Sequence, residues 1–346
     1  MVLVICGYYI SQNIALGYGK SNDVNDPSIL KPISFRYHDN TYVLVYNGKL
    51  YNSADIKKQL IEKDFEFSGS SDTEILLKAY ICYGYNVVNK LNGTFSFAIW
   101  DELKQELFLA RDHFGIKPLY YSLIDDTLVF ASEIKDVLKF PKMKAQLGRE
   151  GLSELLGLGP AHTSGIGIFK NIYELKPAHY AVFNKSGLHL NRYWKLESKL
   201  HIDGFELTCD TISFLLEDSI ERQLITDAPL GSMLSGGIDS SIITAYASKY
   251  LSQLNTLSVD YVDNDKYFVK NDFQPNSDNY YIDIISKKFN TNHEYIVFDT
   301  PELASSLKDA MIARDFPGMA DIDSSLLLFC KKIKEKYDVV LSRGMF

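Results

Sequence analysis

The chain has 346 residues, 46% hydrophobic and 23% charged, a composition that excludes an intrinsically disordered protein and a length that suits two domains. Its net charge of −8 argues against nucleic acid as the main partner, and no apolar run approaches the length needed to span a membrane. The opening MVLVI is too short for a signal peptide, so we expect a cytoplasmic protein.

The first half of the chain is typical of short strands and turns with two helical stretches. Strands are predicted at residues 43–46, 95–101 and 107–111, the first ending at the turn pair Asn47-Gly48. Helices are predicted at residues 53–63, with Ser53 as N-cap, and at residues 72–83. Residues 145–159 are predicted to form a helical connection and residues 172–194 the closing strands. Alone, this pattern indicates ordinary α+β architecture.

The second half alternates strands and helices, which is typical of a doubly wound parallel sheet. Residues 201–204 are a plausible linker, and a helix is predicted over residues 206–224. Its residues Ile212, Leu216, Ile220 and Leu224 recur in four-residue steps that suit packing on the next sheet. Strands are predicted at residues 229–234, 255–261, 292–298 and 337–342, a helix at 280–288 and a polar, solvated loop at 263–278.

The string SGGIDSS at residues 235–241 follows the first of these strands and opens a helix predicted over residues 242–251. A strand that turns through glycines into a helix directs backbone N–H groups and a helix N-terminus at one spot, which favours phosphate. Asp239 would repel phosphate there unless a divalent cation lies between them, so we predict that it binds Mg²⁺. The alternative is a plain turn, with residues 239–241 as a helix cap.

This string resembles the pyrophosphate loop of ATP pyrophosphatases and differs from the Walker loop, whose Gly-Lys-Ser/Thr is absent. The resemblance implies that the loop holds the part of ATP that leaves as pyrophosphate. It assigns ATP binding to the following residues: Leu234, Ser235, Gly236, Gly237, Asp239, Ser240, Val259 and Ser342. Leu234 and Val259 would also suit ordinary core positions.

Five further strings occur in a fixed order in the first half: YNGKLYN at 46–52, SSDTE at 70–74, LNGTFSFAIWD at 91–101, LFLARDHFGIKPLYY at 107–121 and FASEIK at 130–135. Together they resemble the glutaminase domain of glutamine-hydrolysing asparagine synthetases. The resemblance implies an α+β, Ntn-type αββα sandwich over residues 1–200. Over residues 205–346 it implies an α/β, Rossmann-like parallel sheet that carries the pyrophosphate loop and is incomplete.

The resemblance also implies a glutamine site. Asn47 and Gly48 match the oxyanion and glutamine-binding segment, and Asp72 matches the carboxylate that holds the glutamine α-amino group. The family's nucleophile is an N-terminal cysteine whose own α-amino group is the base. Cys6-Gly7 is similar to that opening pair, but residues 7–17 look like a later strand, so we interpret Cys6 as a decoy and the nucleophile segment as missing.

The glutamine site also departs from the family pattern at two positions. Lys20 lies where the family has the arginine that clamps the glutamine carboxylate, and Lys49 replaces a glutamate beside Gly48. We therefore predict negligible glutaminase activity. The four cysteines (Cys6, Cys82, Cys209 and Cys330) lack CxxC spacing, which indicates neither a zinc site nor a disulfide framework.

The end of the chain carries three further assignments. By position in the family, Asp321 and Asp323 would hold an amino acid's α-ammonium, and helix capping by Asp323 or Ser324 is the alternative. His293 suits a surface or turn position. The family continues after Ser342 into an ATP-contacting Ser-Gly-Glu-Gly segment where this chain has RGMF, so we expect truncation at both ends and exposed apolar surface in the C-terminal half.

The sequence thus predicts an asparagine synthetase in which ATP and Mg²⁺ activate aspartate as a β-aspartyl-adenylate and ammonia from glutamine completes the amide. Glutamine, aspartate and ATP are the expected small-molecule partners, with neither nucleic acid nor membrane, and homo-oligomerisation is left open. One alternative is an inactive ATP-binding remnant. Another is a related ATP-dependent amide-forming cyclase, such as a β-lactam or lasso-peptide cyclase.

Overall fold

A computed structural model describes residues 4–20, 32–226, 228–272 and 275–342. The chain divides into two units, residues 1–198 and residues 199–346, called here the N-terminal and the C-terminal unit. In the described part of the chain, no helix is both long enough and apolar enough to cross a membrane.

The N-terminal unit is built from strands and short helices. Its strands are β1 (Val4–Ile10), β2 (Ala15–Lys20), β3 (Ile33–Tyr37), β4 (Asn40–Leu50), β5 (Gly93–Asp101), β6 (Glu106–Arg111), β7 (Tyr120–Ile124), β8 (Thr127–Ala131), β9 (Tyr173–Glu174), β10 (His179–Asn184) and β11 (Gly187–Arg192). Its helices are α1 (Ser53–Ile61), α2 (Asp72–Tyr83), α3 (Ile134–Val137) and α4 (Arg149–Gly157), with a 3₁₀ helix at Gly84–Asn89.

Six of these strands form one antiparallel sheet in the order β11-β10-β6-β5-β4-β3. Because side chains alternate along a strand, Leu44 and Leu50 of β4 face a cluster with Leu60 of α1 and Leu76 of α2. Val43 faces the opposite cluster, formed with residues of β7 and β8 in the second sheet, whose order is β8-β7-β9. A sheet covered by helices on one face and by a sheet on the other confirms the predicted sandwich architecture.

Local predictions for this unit were partly wrong. Asn47-Gly48 is no turn, because β4 runs through both residues and pairs them with Ser96 and Phe95 of β5. Ser53 is the first helical residue of α1 rather than its N-cap, which is Asn52. Residues 7–17 contain the end of β1 and the start of β2, which pair as an antiparallel hairpin instead of forming one strand.

The C-terminal unit is an open α/β arrangement. Its helices are α5 (Phe205–Leu224), α6 (Ile238–Tyr250), α7 (Asn264–Tyr267), α8 (Asp278–Lys288), α9 (Thr300–Arg314) and α10 (Ala320–Lys334), and its strands are β12 (Leu230–Met233), β13 (Asn255–Tyr261), β14 (Asn292–Phe298) and β15 (Val339–Leu341). The strands form one parallel sheet in the order β14-β13-β12-β15, which confirms the predicted Rossmann-like class.

Several details of this unit differ from the prediction. Helix α6 begins at Ile238, before residue 242, because the glycine turn ends at Gly237. On α5, Ile220 is buried, whereas Ile212 and Leu216 are 51% and 38% exposed, so only the C-terminal part of the predicted stripe packs. The polar stretch 263–278 contains the short helix α7.

Candidate functional site

The glycine loop lies between β12 and α6 and is fastened to the neighbouring strand. The Leu234 N–H donates to the Leu257 carbonyl oxygen at 2.9 Å, and the Ser258 hydroxyl donates to the Leu234 carbonyl oxygen. Leu234 itself is buried, with 1% of its surface exposed. Because β12 and β13 are parallel, the loop leaves the sheet at its carboxyl edge, where open α/β sheets bind their ligands.

Ser240 shapes the loop from within. It is buried in the first turn of α6, and its Oγ accepts a hydrogen bond from the Ser235 N–H at 3.2 Å. The same hydroxyl donates to the Gly237 carbonyl oxygen at 3.1 Å. These bonds fold the loop against the start of the helix, while Ser235 and Gly237 remain exposed.

The two glycines meet different requirements. Gly236 has φ +74°, and a Cβ there would lie 2.9 Å from the Asp278 carbonyl oxygen and 3.0 Å from the Tyr281 Cβ. Both the backbone angle and the packing therefore favour glycine at this position. Gly237 has φ −73°, is the N-cap of α6 and has no side chain to cap it. The first-turn N–H groups of α6, which no intrahelical carbonyl can satisfy, consequently face a polar, exposed loop that suits an anion.

Asp239 lies exposed in the first turn of α6, beside this anion-favouring surface. A carboxylate oxygen is the ligand type that Mg²⁺ prefers, so the position is compatible with the predicted metal. Among the residues that the structure describes, no group of three or more His, Cys, Asp or Glu side chains could hold a metal by itself. The Mg²⁺ assignment therefore stays a prediction that depends on phosphate oxygens as further ligands.

The other two predicted nucleotide contacts lie near the same sheet edge. Val259 is half-buried near the end of β13 and packs on a cluster that contains Leu257 and Phe329. Ser342 is exposed and follows β15, which is parallel to β12. The structure thus brings the predicted loop, Val259 and Ser342 to the carboxyl edge of one parallel sheet.

The predicted glutamine-site residues meet at the end of β4. Asn47 is exposed, and Gly48 is packed so closely on β5 that a Cβ would lie 2.2 Å from the Thr94 carbonyl oxygen. The Asp72 Oδ2 accepts a hydrogen bond from the Leu50 N–H at 2.8 Å, two residues beyond Gly48. The three residues therefore share one end of the sheet, with Asp72 held by backbone.

Asp72 also affects a buried neighbour. Burial, and then the negative charge of Asp72, hold the pKa of Tyr46 well above its ordinary value, so this phenol stays neutral. Tyr46 is therefore a core residue of this region rather than an acid or base.

Two parts of the glutaminase prediction lie outside the described residues. Cys6 has a described backbone in β1, but its side chain lies outside the described part, as does that of Lys20. The interpretation of Cys6 as a decoy therefore stays a prediction.

The structure describes the side chain of only one of the two predicted substrate carboxylates. The Asp321 side chain lies outside the described residues. Asp323 is buried, and its Oδ1 lies 2.6 Å from the NH1 of Arg314, a partner that already neutralises its charge. The capping alternative is wrong, because α10 begins at Ala320 with Met319 as N-cap and Asp323 and Ser324 lie inside the helix.

The prediction for His293 was also wrong. This histidine lies within β14, half-buried, with its Nδ1 2.9 Å from the Thr256 hydroxyl. Burial lowers the pKa of its ring, so the neutral form is favoured.

A polar cluster at the end of β13 was missed. Asp260 accepts hydrogen bonds from the side-chain amides of Asn264 and Asn279, both at 2.8 Å. Asp260 directly follows Val259, and a carboxylate at the end of a parallel strand is a signal that sequence inspection could have used. The asparagines lie in a stretch whose polarity is equally typical of a solvated loop.

Comparison with known proteins gives the following matches. The family model described as glutamine amidotransferase domain matches residues 6–194, and the one described as asparagine synthase matches residues 211–343. The chain is 45% identical over 317 residues to asparagine synthetase (glutamine-hydrolyzing) 3 of Bacillus subtilis, a match that covers 90% of this chain and 52% of that protein.

Two further relatives cover less. Asparagine synthetase (glutamine-hydrolyzing) 1 of Bacillus subtilis is 30% identical over 254 residues, 73% of this chain and 40% of that protein. Amidase chry2 of Gibberella zeae is 34% identical over 218 residues, 60% of this chain and 31% of that protein. The chain thus spans 52% or less of the length of each of these three relatives.

Proposed function

Since this chain belongs to the family of glutamine-hydrolysing asparagine synthetases, with a glutamine amidotransferase domain followed by an asparagine synthase domain, we propose that its C-terminal unit binds ATP with Mg²⁺ and activates the β-carboxylate of aspartate for amide formation. The observation that carries the proposal is the glycine loop at the sheet's carboxyl edge, whose helix has a glycine N-cap. ATP, when bound, would supply the adenylyl group that makes the carboxylate a better electrophile, and pyrophosphate would be the leaving group.

The chain's own residues have separate roles in this proposal. The first-turn N–H groups of α6 donate to phosphate oxygens, and the helix dipole favours the negative charge. Ser240 keeps the loop folded on the helix, and the exposed Ser235 hydroxyl, which lies 3.1 Å from the Ser240 hydroxyl, would turn toward a phosphate oxygen when ATP binds. Asp239 contributes a carboxylate to the cation that accompanies the phosphates. Val259 supplies an apolar contact for the base.

The test is ATP–pyrophosphate exchange by the purified chain with and without aspartate. Exchange that depends on aspartate is expected, because reversible adenylation returns labelled pyrophosphate to ATP. ATP binding without exchange would contradict carboxylate activation while leaving nucleotide binding in place. Absence of ATP binding would contradict the proposal as a whole.

Gly236→Ala tests the role of the loop in ATP binding without changing the rest of the unit. The substitution forces an L residue into φ +74° against the Asp278 carbonyl oxygen. A strain of about 1–2 kcal/mol corresponds to roughly tenfold weaker ATP binding if the loop relaxes out of its binding shape. Gly204→Ala is the control, since Gly204, the N-cap of α5, has a φ of −69° that an L residue adopts without strain, and no atom of the described residues lies within 4 Å of its added Cβ.

A second candidate is a nucleotide-binding protein that does not activate aspartate. The ion pair between Asp323 and Arg314 favours it, because a carboxylate paired with a guanidinium is a poor site for a substrate ammonium. Under this candidate ATP binds with equal affinity in the presence and absence of aspartate. An aspartate-dependent gain in affinity would exclude it.

For the N-terminal unit we propose negligible glutamine hydrolysis. Lys49, exposed beside Gly48, supports this, since it places a positive charge where the family has a glutamate. Glutamate release from glutamine should stay at background before and after removal of residues 1–5. Robust release that Cys6→Ala abolishes would contradict both this proposal and the interpretation of Cys6.

The cytoplasm is the location that we propose for this activity. Cys82, Cys209 and Cys330, the cysteines whose side chains the structure describes, are free thiols. Free cysteines are typical of a reducing compartment. Mass spectrometry of the protein alkylated in native cells should find these three thiols reduced.

A further inference from the structure

Asp260 is the second-last residue of β13, just before the chain leaves the sheet. Its Oδ1 accepts hydrogen bonds from the Tyr261 N–H and from the Asn264 side-chain amide, both at 2.8 Å. Its Oδ2 accepts one from the Asn279 side-chain amide, also at 2.8 Å. One half-buried carboxylate therefore joins the end of β13 to α7 and to α8.

The strand that carries Asp260 is the fixed part of this cluster. β13 lies between β12 and β14 and pairs with both. α7 is a single turn of four residues with none buried, and α8 buries only Ile282. Hydrogen bonds to an ionised carboxylate are stronger than neutral ones, so Asp260 is well suited to fix two weakly packed helices.

The first turn of α8 is also the neighbour of the glycine loop. A Cβ at Gly236 would lie 2.9 Å from the Asp278 carbonyl oxygen and 3.0 Å from the Tyr281 Cβ. Asn279, which bonds to Asp260, lies between those two contact residues in the chain. This helical turn is thus hydrogen-bonded to Asp260 through Asn279 and in turn limits the space available to the loop.

We propose that Asp260 is a positioning residue of the nucleotide site: through Asn279 it holds the first turn of α8 against Gly236 and so maintains the binding shape of the loop at residues 235–237. This inference rests on the proposed function and adds to it a residue that contacts no ligand. It differs from a general structural role, because the effect is confined to α7, the start of α8 and the loop.

The first test is Asp260→Asn in the chain of 346 residues. An asparagine keeps the size but removes the charge, and its own NH₂ group would face one of the two amide donors. We expect about tenfold weaker binding of ATP with Mg²⁺, a coupling of ordinary size, and little change in the temperature of unfolding. Asp283→Asn is the matched control. This carboxylate lies on α8, the helix that carries Asn279, but it accepts a hydrogen bond from the Tyr295 hydroxyl.

The swap Asp260→Asn with Asn279→Asp should restore binding. In the swapped pair the amide at position 260 donates to the carboxylate at 279, and its oxygen still accepts from Asn264. Recovery to within about twofold of the parent affinity is expected for a positioning role. If the double variant is no better than Asp260→Asn alone, the geometry of this bond is irrelevant and the inference fails.

Hydrogen exchange without nucleotide distinguishes failure of this inference from failure of the proposed function. In Asp260→Asn, amides of residues 235–241 and of the first turn of α8 should exchange faster, while those of β14 stay unchanged. Unchanged exchange in the loop would overturn the inference even if ATP binds. If the parent chain binds no ATP yet the loop exchanges faster in the variant, the positioning stands and the assigned ligand is wrong.

Discussion

The two units differ in how deeply they bury their sheets. In the N-terminal unit the six residues of β6 and the last seven of β5 are all buried. In the C-terminal unit β14 buries only the last of its seven residues, and β12 buries its two central ones. The first unit is therefore held by core packing, whereas the second positions its candidate site through individual polar contacts at a sheet edge.

Their polar groups show the same contrast. In the N-terminal unit the Asp112 carboxylate is 1% exposed and accepts from four backbone N–H groups, those of Phe95, Phe114, Ile116 and Lys117. In the C-terminal unit Asp260 is half-buried and accepts from two side-chain amides and from one backbone N–H, that of Tyr261. We expect substitutions at polar contacts to change global stability in the first unit and local geometry in the second.

The largest expected effect is at the buried ion pair of the N-terminal unit. Arg111 NH1 lies 2.8 Å from Glu174 Oε1, with both side chains at most 7% exposed. Burial raises the pKa of Glu174, but the His162 hydrogen bond and the Arg111 charge outweigh it and lower the pKa. Glu174→Gln leaves a buried guanidinium without its counter-charge, and we expect a loss of about 3–5 kcal/mol.

The measurement can isolate one unit. Both tryptophans, Trp100 and Trp194, belong to the N-terminal unit, so their fluorescence during urea unfolding reports that unit alone. Glu197→Gln is the control, because Glu197 pairs with Lys195 on the exposed surface and should change stability by less than about 1 kcal/mol. Equal losses in the two variants would show that burial does not determine the effect.

The next effect concerns Gly48, and it connects the fold of the first unit to its candidate site. Gly48→Ala places a Cβ 2.2 Å from the Thr94 carbonyl oxygen and 2.8 Å from the Phe95 Cα, so β4 and β5 must separate locally. We expect a loss of about 1–3 kcal/mol by tryptophan fluorescence. Gly17→Ala changes a strand glycine of the same unit, and no atom of the described residues lies within 4 Å of its added Cβ, so it should be close to neutral.

Two strands of the second unit show where sequence reasoning succeeded, and Asn47-Gly48 shows where it could not. Strands 255–261 and 292–298 were predicted with the bounds that the structure has, because their apolar and β-branched runs end at polar turns. Asn47-Gly48 was misassigned because a turn-forming dipeptide is a local signal. Pairing with β5 is a long-range contact that overrides it, and no single segment contains that information.

The candidate site was predictable to a similar degree. The glycine string predicted the loop because its chemistry is local, and the structure places that loop at the sheet edge. Asp260 alone carried a sequence signal, but its bond to Asn279 was not predictable, since Asn279 lies 19 residues further along the chain. Only the packing of α8 on Gly236 shows that this distant amide belongs to the loop's surroundings.

A smaller effect tests whether single polar contacts act locally in the C-terminal unit. Asp299 caps α9, accepting from the Glu302 N–H at 2.8 Å while the Glu302 carboxylate accepts from the Asp299 N–H at 3.3 Å. Asp299→Ala should cost about 1 kcal/mol, read as faster hydrogen exchange in the first half of α9. Asp309→Ala, on the exposed face of the same helix, should exchange as the parent does. Faster exchange throughout the unit would contradict a local effect.

The smallest expected effect is a pH dependence confined to the second unit. Burial lowers the pKa of His293, although Asp283 opposes this. The unfolded chain therefore binds a proton near pH 6.5 that the folded chain does not, and stability should fall as pH drops below about 6.5 and level off below the folded pKa. One proton contributes at most about 1.4 kcal/mol per pH unit, and this half-buried ring should give less.

The test is His293→Asn, which keeps a hydrogen-bonding group near the Thr256 hydroxyl. This variant should flatten the pH dependence of amide hydrogen exchange in β13 and β14, whereas substitution of the exposed His189 should not. If His293→Asn retains the full pH dependence, another group is responsible for it, and His293 is not a local pH-sensitive contact of the second unit.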